Sequence, residues 1–130
     1  MKKSSFLFLA LILFFASACN KEAGRGGTSS ILGKVHVYDI NGIGDTIAEY
    51  DAMDEDVFII YGESDDTYDD KFSCSFDGTY RFDYLNAGTY TLYAYSRCDT
   101  CNDGVQPIFK TVEITDKKTE YTAPTINILK

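Results

Sequence analysis

The sequence has very little of what hydrolytic enzymes need. Its 130 residues include a single histidine, His36, so a triad of nucleophile, histidine and acid would have to use that one residue. It contains neither the Gly-x-Ser-x-Gly turn of serine hydrolases nor the His-Glu-x-x-His motif of zinc proteases. We therefore expect a protein that is not an enzyme, with no catalytic residues and no cofactor.

Basic side chains are also scarce. The chain carries 12 lysines and arginines against 20 aspartates and glutamates, a formal net charge of −8. Proteins that bind nucleic acids neutralise phosphates with clustered lysine and arginine, and this chain has no such cluster. We expect no nucleic-acid partner and interpret the acidity as a means of staying soluble at a crowded surface.

Long apolar segments are missing apart from one run of ten residues, at positions 6–15. That run is about half of the ~20 residues that a membrane-spanning helix needs. Lys2 and Lys3 precede it and the small residues Ala16-Ser17-Ala18 follow it, an arrangement typical of a secretory signal peptide. We predict a signal peptide over residues 1–18, whose removal would leave a formal charge of −10.

Ala16-Ser17-Ala18-Cys19 resembles a bacterial lipobox, although Ala16 stands where that motif usually has leucine. The resemblance implies cleavage before Cys19 and lipidation of its thiol, with acyl chains that hold the protein on a membrane. The alternative is ordinary cleavage that leaves Cys19 as a stray thiol. Asn20-Lys21-Glu22 resembles the export signal of Bacteroidota surface lipoproteins. Together these resemblances imply an outer-membrane lipoprotein of the bacterial cell envelope, exposed at the surface.

Glycine and serine are frequent directly after Cys19, so we predict a flexible tether over residues 19–30. About 100 residues remain, enough for one domain with one core. The folded domain is predicted to cover residues 31–130.

No part of this domain shows a sustained 3.6-residue apolar period, whereas several segments alternate at period two. The clearest are residues 79–85 and 89–97, joined by Asn86-Ala87-Gly88. The residues predicted to face the core are Tyr80, Phe82 and Tyr84 on one strand and Tyr90, Leu92 and Ala94 on the next. Further strands are predicted over residues 31–38, 46–50, 57–61, 71–75, 107–115 and 119–129.

These elements predict an all-β sandwich of seven or eight mostly antiparallel strands. Residues 57–61 have no alternation, which favours a central strand covered on both faces. Pro124 restricts the last strand to an edge or a bulge.

Residues 71–75 and 79–85 are predicted to form a hairpin. A three-residue loop, Phe76-Asp77-Gly78, with Gly78 in the left-handed region, sets Phe72 against Phe82 and Cys74 against Tyr80. This register agrees with the apolar faces, and it predicts that Cys74 points into the core.

The segment from Leu85 to Tyr90 has the spacing of a tyrosine corner, in which a tyrosine bonds to backbone a few residues upstream. Together with Ile31-Leu32-Gly33-Lys34-Val35, residues 57–61 and residues 76–82, the stretch 85–92 resembles the carboxypeptidase regulatory-like, or transthyretin-like, module. The resemblance implies an Ig-like or transthyretin-like sandwich. Modules of this kind usually serve as spacers or binding platforms without catalysis.

Cys98-Asp99-Thr100-Cys101 is the sharpest local motif. In an oxidising compartment two such neighbours most often form a disulfide. A thiol-disulfide redox protein is one alternative, although it would need a thiolate stabilised at a helix N-terminus. A zinc site of Cys98, Cys101, Cys74 and His36 is another, but the predicted faces keep the last two apart.

Acidic residues flank residues 57–61 at both ends, and their carboxylates could bind calcium, although the spacing is not that of an EF-hand loop. The candidate ligands are Asp65, Asp66, Asp69 and Asp70; a solvated acidic loop is the alternative.

Tyr93 and Tyr95 are predicted to project from the face opposite the core. Exposed tyrosines on a sheet can stack on sugars or anchor a protein partner, or they can form cross-strand pairs that stabilise the sheet. The predicted function is that of a lipid-anchored, non-catalytic binding or structural module at the cell envelope. The partners expected are the membrane and a protein or glycan at the cell surface. A metal-binding envelope protein that uses the Cys98/Cys101 loop or the acidic loops is the alternative.

Overall fold

A computed structural model describes residues 22–63 and 67–130. The signal peptide, Cys19, Asp65 and Asp66 lie outside this range, so the predictions made for them stay predictions. The described residues form nine strands: β1 Arg25–Ile40, β2 Thr46–Asp51, β3 Asp56–Tyr61, β4 Asp70–Ser73, β5 Thr79–Leu85, β6 Gly88–Arg97, β7 Val105–Ile114, β8 Glu120–Thr122 and β9 Ile126–Leu129. Within them no helix is long and apolar enough to cross a membrane.

The strands build two sheets that enclose one core, so the predicted all-β sandwich is confirmed. The long strand β1 organises the first sheet. Its first part pairs with β5 and β8, and its second part pairs with β2 and β9. The second sheet has the order β4-β3-β6-β7 and is antiparallel throughout.

The predicted tether reaches too far into the domain, because β1 begins at Arg25 instead of near Ile31. Ser29 and Ser30 are buried. The Ser29 hydroxyl donates to the Asp116 carbonyl (2.6 Å), and the Ser30 amide donates to the Thr119 carbonyl (3.0 Å). These partners lie about 90 residues away, so composition alone indicated flexibility where the fold supplies a strand.

Alternation places the core residues of β1 and β6 as predicted. Ile31, Val35 and Val37 point inward from β1, as do Tyr90, Leu92 and Ala94 from β6.

Tyr84 does not follow this pattern, because its side chain is 74% exposed. Between the pairs Ser29–Leu85 and Ile31–Phe82, β5 contains one residue more than β1, which is a β-bulge. Tyr84 takes up the extra length with a φ of +59°, and Leu85 enters the core in its place. The prediction that Tyr84 faces the core is therefore wrong.

The predicted hairpin is correct in its turn and wrong in its pairing. Gly78 has a φ of +75°, and the Ser75 amide donates to the Thr79 carbonyl (2.8 Å), as a three-residue loop requires. Beyond that bond, β4 leaves β5 and pairs with β3 in the other sheet. Phe72 and Phe82 still meet, at 6.3 Å between ring centroids, but across the gap between the sheets. Cys74 is buried, as predicted.

Two other strand predictions need correction. The last strand divides into β8 and β9 around Pro124, which gives nine strands instead of seven or eight. Strand β3 is interior to its sheet, as predicted, with Val57 and Ile59 in the core. On its other face Phe58 packs against Tyr68, Tyr93 and Tyr95, and Ile60 is 3% exposed, although no third layer of strands covers this face in the described residues.

Tyr90 forms the predicted tyrosine corner. Its hydroxyl donates to the Asn86 carbonyl (2.7 Å) and accepts from the Gly24 amide (2.9 Å). The second bond fastens the chain just before β1 to the corner.

Candidate functional site

Aromatic side chains gather on the outer face of the four-stranded sheet, which we call the aromatic platform. Its members are Phe58, Tyr68, Tyr93, Tyr95 and Phe109. Residues 90, 92, 94 and 96 of β6 point into the protein, so Tyr93 and Tyr95 point out, as predicted. The register places Phe58 of β3 and Phe109 of β7 on either side of Tyr93.

Tyr93 lies at the centre of the platform. Its ring stacks on Phe58 with centroids 5.0 Å apart and an interplanar angle of 19°, and it contacts Phe109 at 5.3 Å and Tyr95 at 5.6 Å. Tyr93 is only 8% exposed, and this burial raises the pKa of its hydroxyl above the usual value. Tyr93 therefore also forms the cross-strand pairs that were considered as the structural alternative.

The outer members of the platform stay open to solvent. Tyr68, Tyr95 and Phe109 are 42%, 41% and 51% exposed. Tyr68 lies ahead of β4 and packs on Phe58 at 4.7 Å. The result is an aromatic surface with a buried centre and exposed borders. Its exposed rings are tilted or edge-on to the buried pair, and each can stack on a flat apolar face of a ligand.

A polar border adjoins the platform at β4. Lys71 stands opposite Phe58 in the register, and its ammonium group donates to the Asp56 carboxylate (2.8 Å), which also accepts from the Ser73 hydroxyl. The Lys71 hydrogen bond, followed by that of Ser73, holds the pKa of Asp56 below its usual range. This border therefore carries fixed hydrogen-bonding groups beside the rings.

Sequence reasoning identified Tyr93 and Tyr95 but not Phe58, Tyr68 or Phe109. For Phe58 the signal was present: it alternates with Val57 and Ile59, both core residues. The strand was interpreted as covered on both faces, which hid its outward phenylalanine. Phe109 becomes a neighbour of Tyr93 only through the β6–β7 register.

Cys98 and Cys101 form a disulfide, as predicted, with Cα atoms 5.4 Å apart. It closes the turn between β6 and β7, where the Cys98 amide donates to the Gly104 carbonyl (2.9 Å). The other candidates for a zinc set do not join it. Cys74 lies in the core, where burial raises the pKa of its thiol to about 12. His36 lies on β1 beside Asp51, 3.4 Å from Nδ1 to the carboxylate.

Among the described residues, no group of three or more histidine, cysteine or acidic side chains is placed to hold a metal ion. Of the calcium candidates, Asp69 accepts from the Tyr61 amide (2.6 Å), and Asp70 forms an ion pair with Arg25. Asp65 and Asp66 lie outside the described residues.

The sequence matches no protein-family profile and none of the curated protein sequences. Among solved structures, the fold is similar to that of a Pseudomonas aeruginosa protein described as a "putative carbohydrate binding protein". The TM-score is 0.50 at 14% identity, over 83% of this chain and 92% of the other. A likeness at this identity supports the β-sandwich fold. The resemblance to the carboxypeptidase regulatory-like module stays a prediction.

Proposed function

We propose that this protein is a non-catalytic, glycan-binding module of the bacterial cell envelope, anchored through lipidated Cys19. The observation that carries the proposal is the aromatic platform, five rings packed against one another at the outer face of one sheet, three of them exposed. Sugar rings present flat apolar C–H faces that stack on aromatic side chains, while their hydroxyls bond to polar groups beside them. The pair of Lys71 and Asp56 supplies such groups at the border of the platform.

Two further facts support this choice. The fold is similar to that of the Pseudomonas aeruginosa protein described as a "putative carbohydrate binding protein". Within the described residues, Tyr95 and Phe109 of the platform are 41% and 51% exposed to solvent. Aromatic residues of this kind dominate binding energies where they are found at binding surfaces.

The test is a glycan array probed with the folded domain, residues 22–130, as wild type and as the double variant Tyr95→Ala/Phe109→Ala. Both side chains are exposed, so their removal should leave the fold intact. Tyr50→Ala is the matched control, because Tyr50 is 46% exposed but belongs to β2 in the other sheet.

We expect the wild type and Tyr50→Ala to bind the same glycans and the double variant to lose at least about tenfold in affinity, since each aromatic side chain contributes ~1 kcal/mol or more. Equal binding by all three proteins would show that the platform is not the site. A wild type that binds no glycan on the array would overturn the proposed function.

The anchor is tested separately, by intact mass of the full chain extracted from bacterial membranes. We expect a chain that begins at Cys19 and carries acyl groups. A mature chain with an unmodified Cys19 would overturn the lipid anchor and leave the glycan site untouched.

A further inference from the structure

An open cleft lies between the two sheets, along the side formed by β4 and β5. Its volume is about 230 Å³, and its lining combines charged and aromatic side chains. The lining residues are Arg25, Asp70, Lys71, Phe72, Arg81, Phe82, Asp83 and Tyr84. Pockets for drug-sized molecules measure ~300–1,000 Å³, so this cleft suits a ligand portion about the size of one sugar ring.

Tyr84 is the unusual residue in this cleft. The bulge in β5 requires a residue that tolerates positive φ, and glycine or asparagine would do so at little cost. A tyrosine at +59° carries strain of about 1–3 kcal/mol, and strain of this kind concentrates at binding sites. The bulge itself does not need an aromatic ring, but this conformation presents the ring to solvent, 74% exposed.

Every charged side chain in the cleft has an ion-pair partner. Arg25 pairs with Asp70, and Arg81 pairs with Asp83 (2.7 Å between Nε and the carboxylate) and with Glu120. Lys71 pairs with Asp56, which lies outside the cleft. A charged ligand would have to displace one of these partners. A neutral polyhydroxyl compound can instead bond to the remaining donors and acceptors, whose positions the ion pairs already hold.

The cleft adjoins the aromatic platform. Lys71 lines the cleft and also stands opposite Phe58 of the platform. Only β4 separates the two, and neighbouring strands lie about 5 Å apart. A chain of sugar residues could therefore stack on Tyr84 at one end, cross β4 and reach the platform.

From these observations we propose that the cleft is a second sugar-binding subsite, which takes a neutral sugar residue on Tyr84 and makes the protein selective for oligosaccharides of three or more residues. This inference rests on the proposed glycan-binding function. It adds to that function a second surface that contacts the ligand, and it specifies that the ligand is neutral and at least three sugar residues long.

The experiment compares wild type, Tyr84→Gly and Tyr84→Phe on an array of neutral and acidic oligosaccharides of one to eight residues. Glycine removes the ring and suits the positive φ, so we expect its melting temperature to be no lower than that of the wild type. Tyr84→Asn, which also tolerates this conformation, serves if the glycine variant is less stable. Phenylalanine keeps the ring and is the matched control.

We expect Tyr84→Gly to weaken binding of neutral oligosaccharides of three or more residues at least about fivefold, with shorter sugars unaffected and Tyr84→Phe like the wild type. Binding lost in Tyr95→Ala/Phe109→Ala but unchanged in Tyr84→Gly would overturn the cleft subsite and leave the proposed function standing. Preferred binding of acidic oligosaccharides would overturn the assignment of a neutral ligand. An array on which the wild type binds nothing would overturn both proposals.

Discussion

Replacement of Gly33 by alanine tests the packing at the centre of the first sheet. Gly33 of β1 stands opposite Tyr80 of β5, and the tyrosine ring covers the glycine. A Cβ atom at position 33 would lie 2.2 Å from both Cζ and the hydroxyl oxygen of Tyr80 and 2.7 Å from Cε1. Tyr80 is 1% exposed, so its ring cannot move into solvent.

The expected cost follows from these distances. Excess volume in a packed core destabilises by about 1–3 kcal/mol and sometimes more, and contacts this short belong at the upper end. We expect Gly33→Ala to lower the free energy of unfolding by about 3 kcal/mol, which is more than 10 °C in melting temperature for a domain of this size. Urea denaturation followed by tyrosine fluorescence and circular dichroism measures it.

Second-site variants identify the atoms responsible. Tyr80→Leu in the Gly33→Ala background removes the ring and should restore part of the loss, whereas Tyr80→Phe keeps Cζ and should not. Alanine is only slightly favoured over glycine in a strand, so this preference cannot offset the expected loss. If Gly33→Ala is as stable as the wild type, the reasoning about this contact is refuted. Rescue by Tyr80→Phe would place the conflict at the hydroxyl alone.

Two further predictions concern the cysteines. Cys98→Ser and Cys101→Ser should each lower the free energy of unfolding by about 2 kcal/mol, the value for a loop this short, and the double variant should lose no more than either. Glycan binding should not change in any of the three variants. Losses in the single variants that add up in the double variant would contradict a single disulfide shared by the two residues. Cys74 should resist alkylation in the folded protein at pH 8.5. Because burial raises its pKa to about 12, against ~8.5 in the unfolded chain, its contribution to stability is complete below pH 8.5 and lost as the pH rises toward 12. Unfolding in urea between pH 8 and 11 should therefore show a steeper decline for the wild type than for Cys74→Ala, and parallel curves would contradict the burial argument.

Period-two alternation was enough to predict the fold class and most of the core. Leu92 and Val35 face inward because each follows its strand's pattern, and the turn at Gly78 could also be predicted. Where the sequence misled, local patterns did not decide between possible partners. Strand β4 pairs with β3, the strand before it, instead of with β5, the strand after it, since a turn fixes only the first bond of a possible hairpin.

In the candidate site, too, some positions could be predicted from one strand and others depend on how strands pair. Outward positions for Tyr93 and Tyr95 could be predicted from β6 alone. That Phe58 and Phe109 lie beside Tyr93 depends on the registers of two separate strand pairs, which local patterns do not specify. Tyr84 was assigned to the core because it continues the alternation of Tyr80 and Phe82. The extra residue of the bulge reverses the faces after Phe82, and no residue near it signals the bulge.

The bond between Tyr90 and Gly24 limits how far the protein can stand from a membrane. Gly24 comes five positions after Cys19, and a fully extended chain of that length spans at most ~18 Å. With Cys19 lipidated, as proposed, the corner at Tyr90 stays within that distance of the lipid headgroups. Tyr95 lies five residues further along β6, about 17 Å away. The aromatic platform would therefore stay close to the membrane, and it would bind only glycans that reach within a few tens of ångströms of the bilayer.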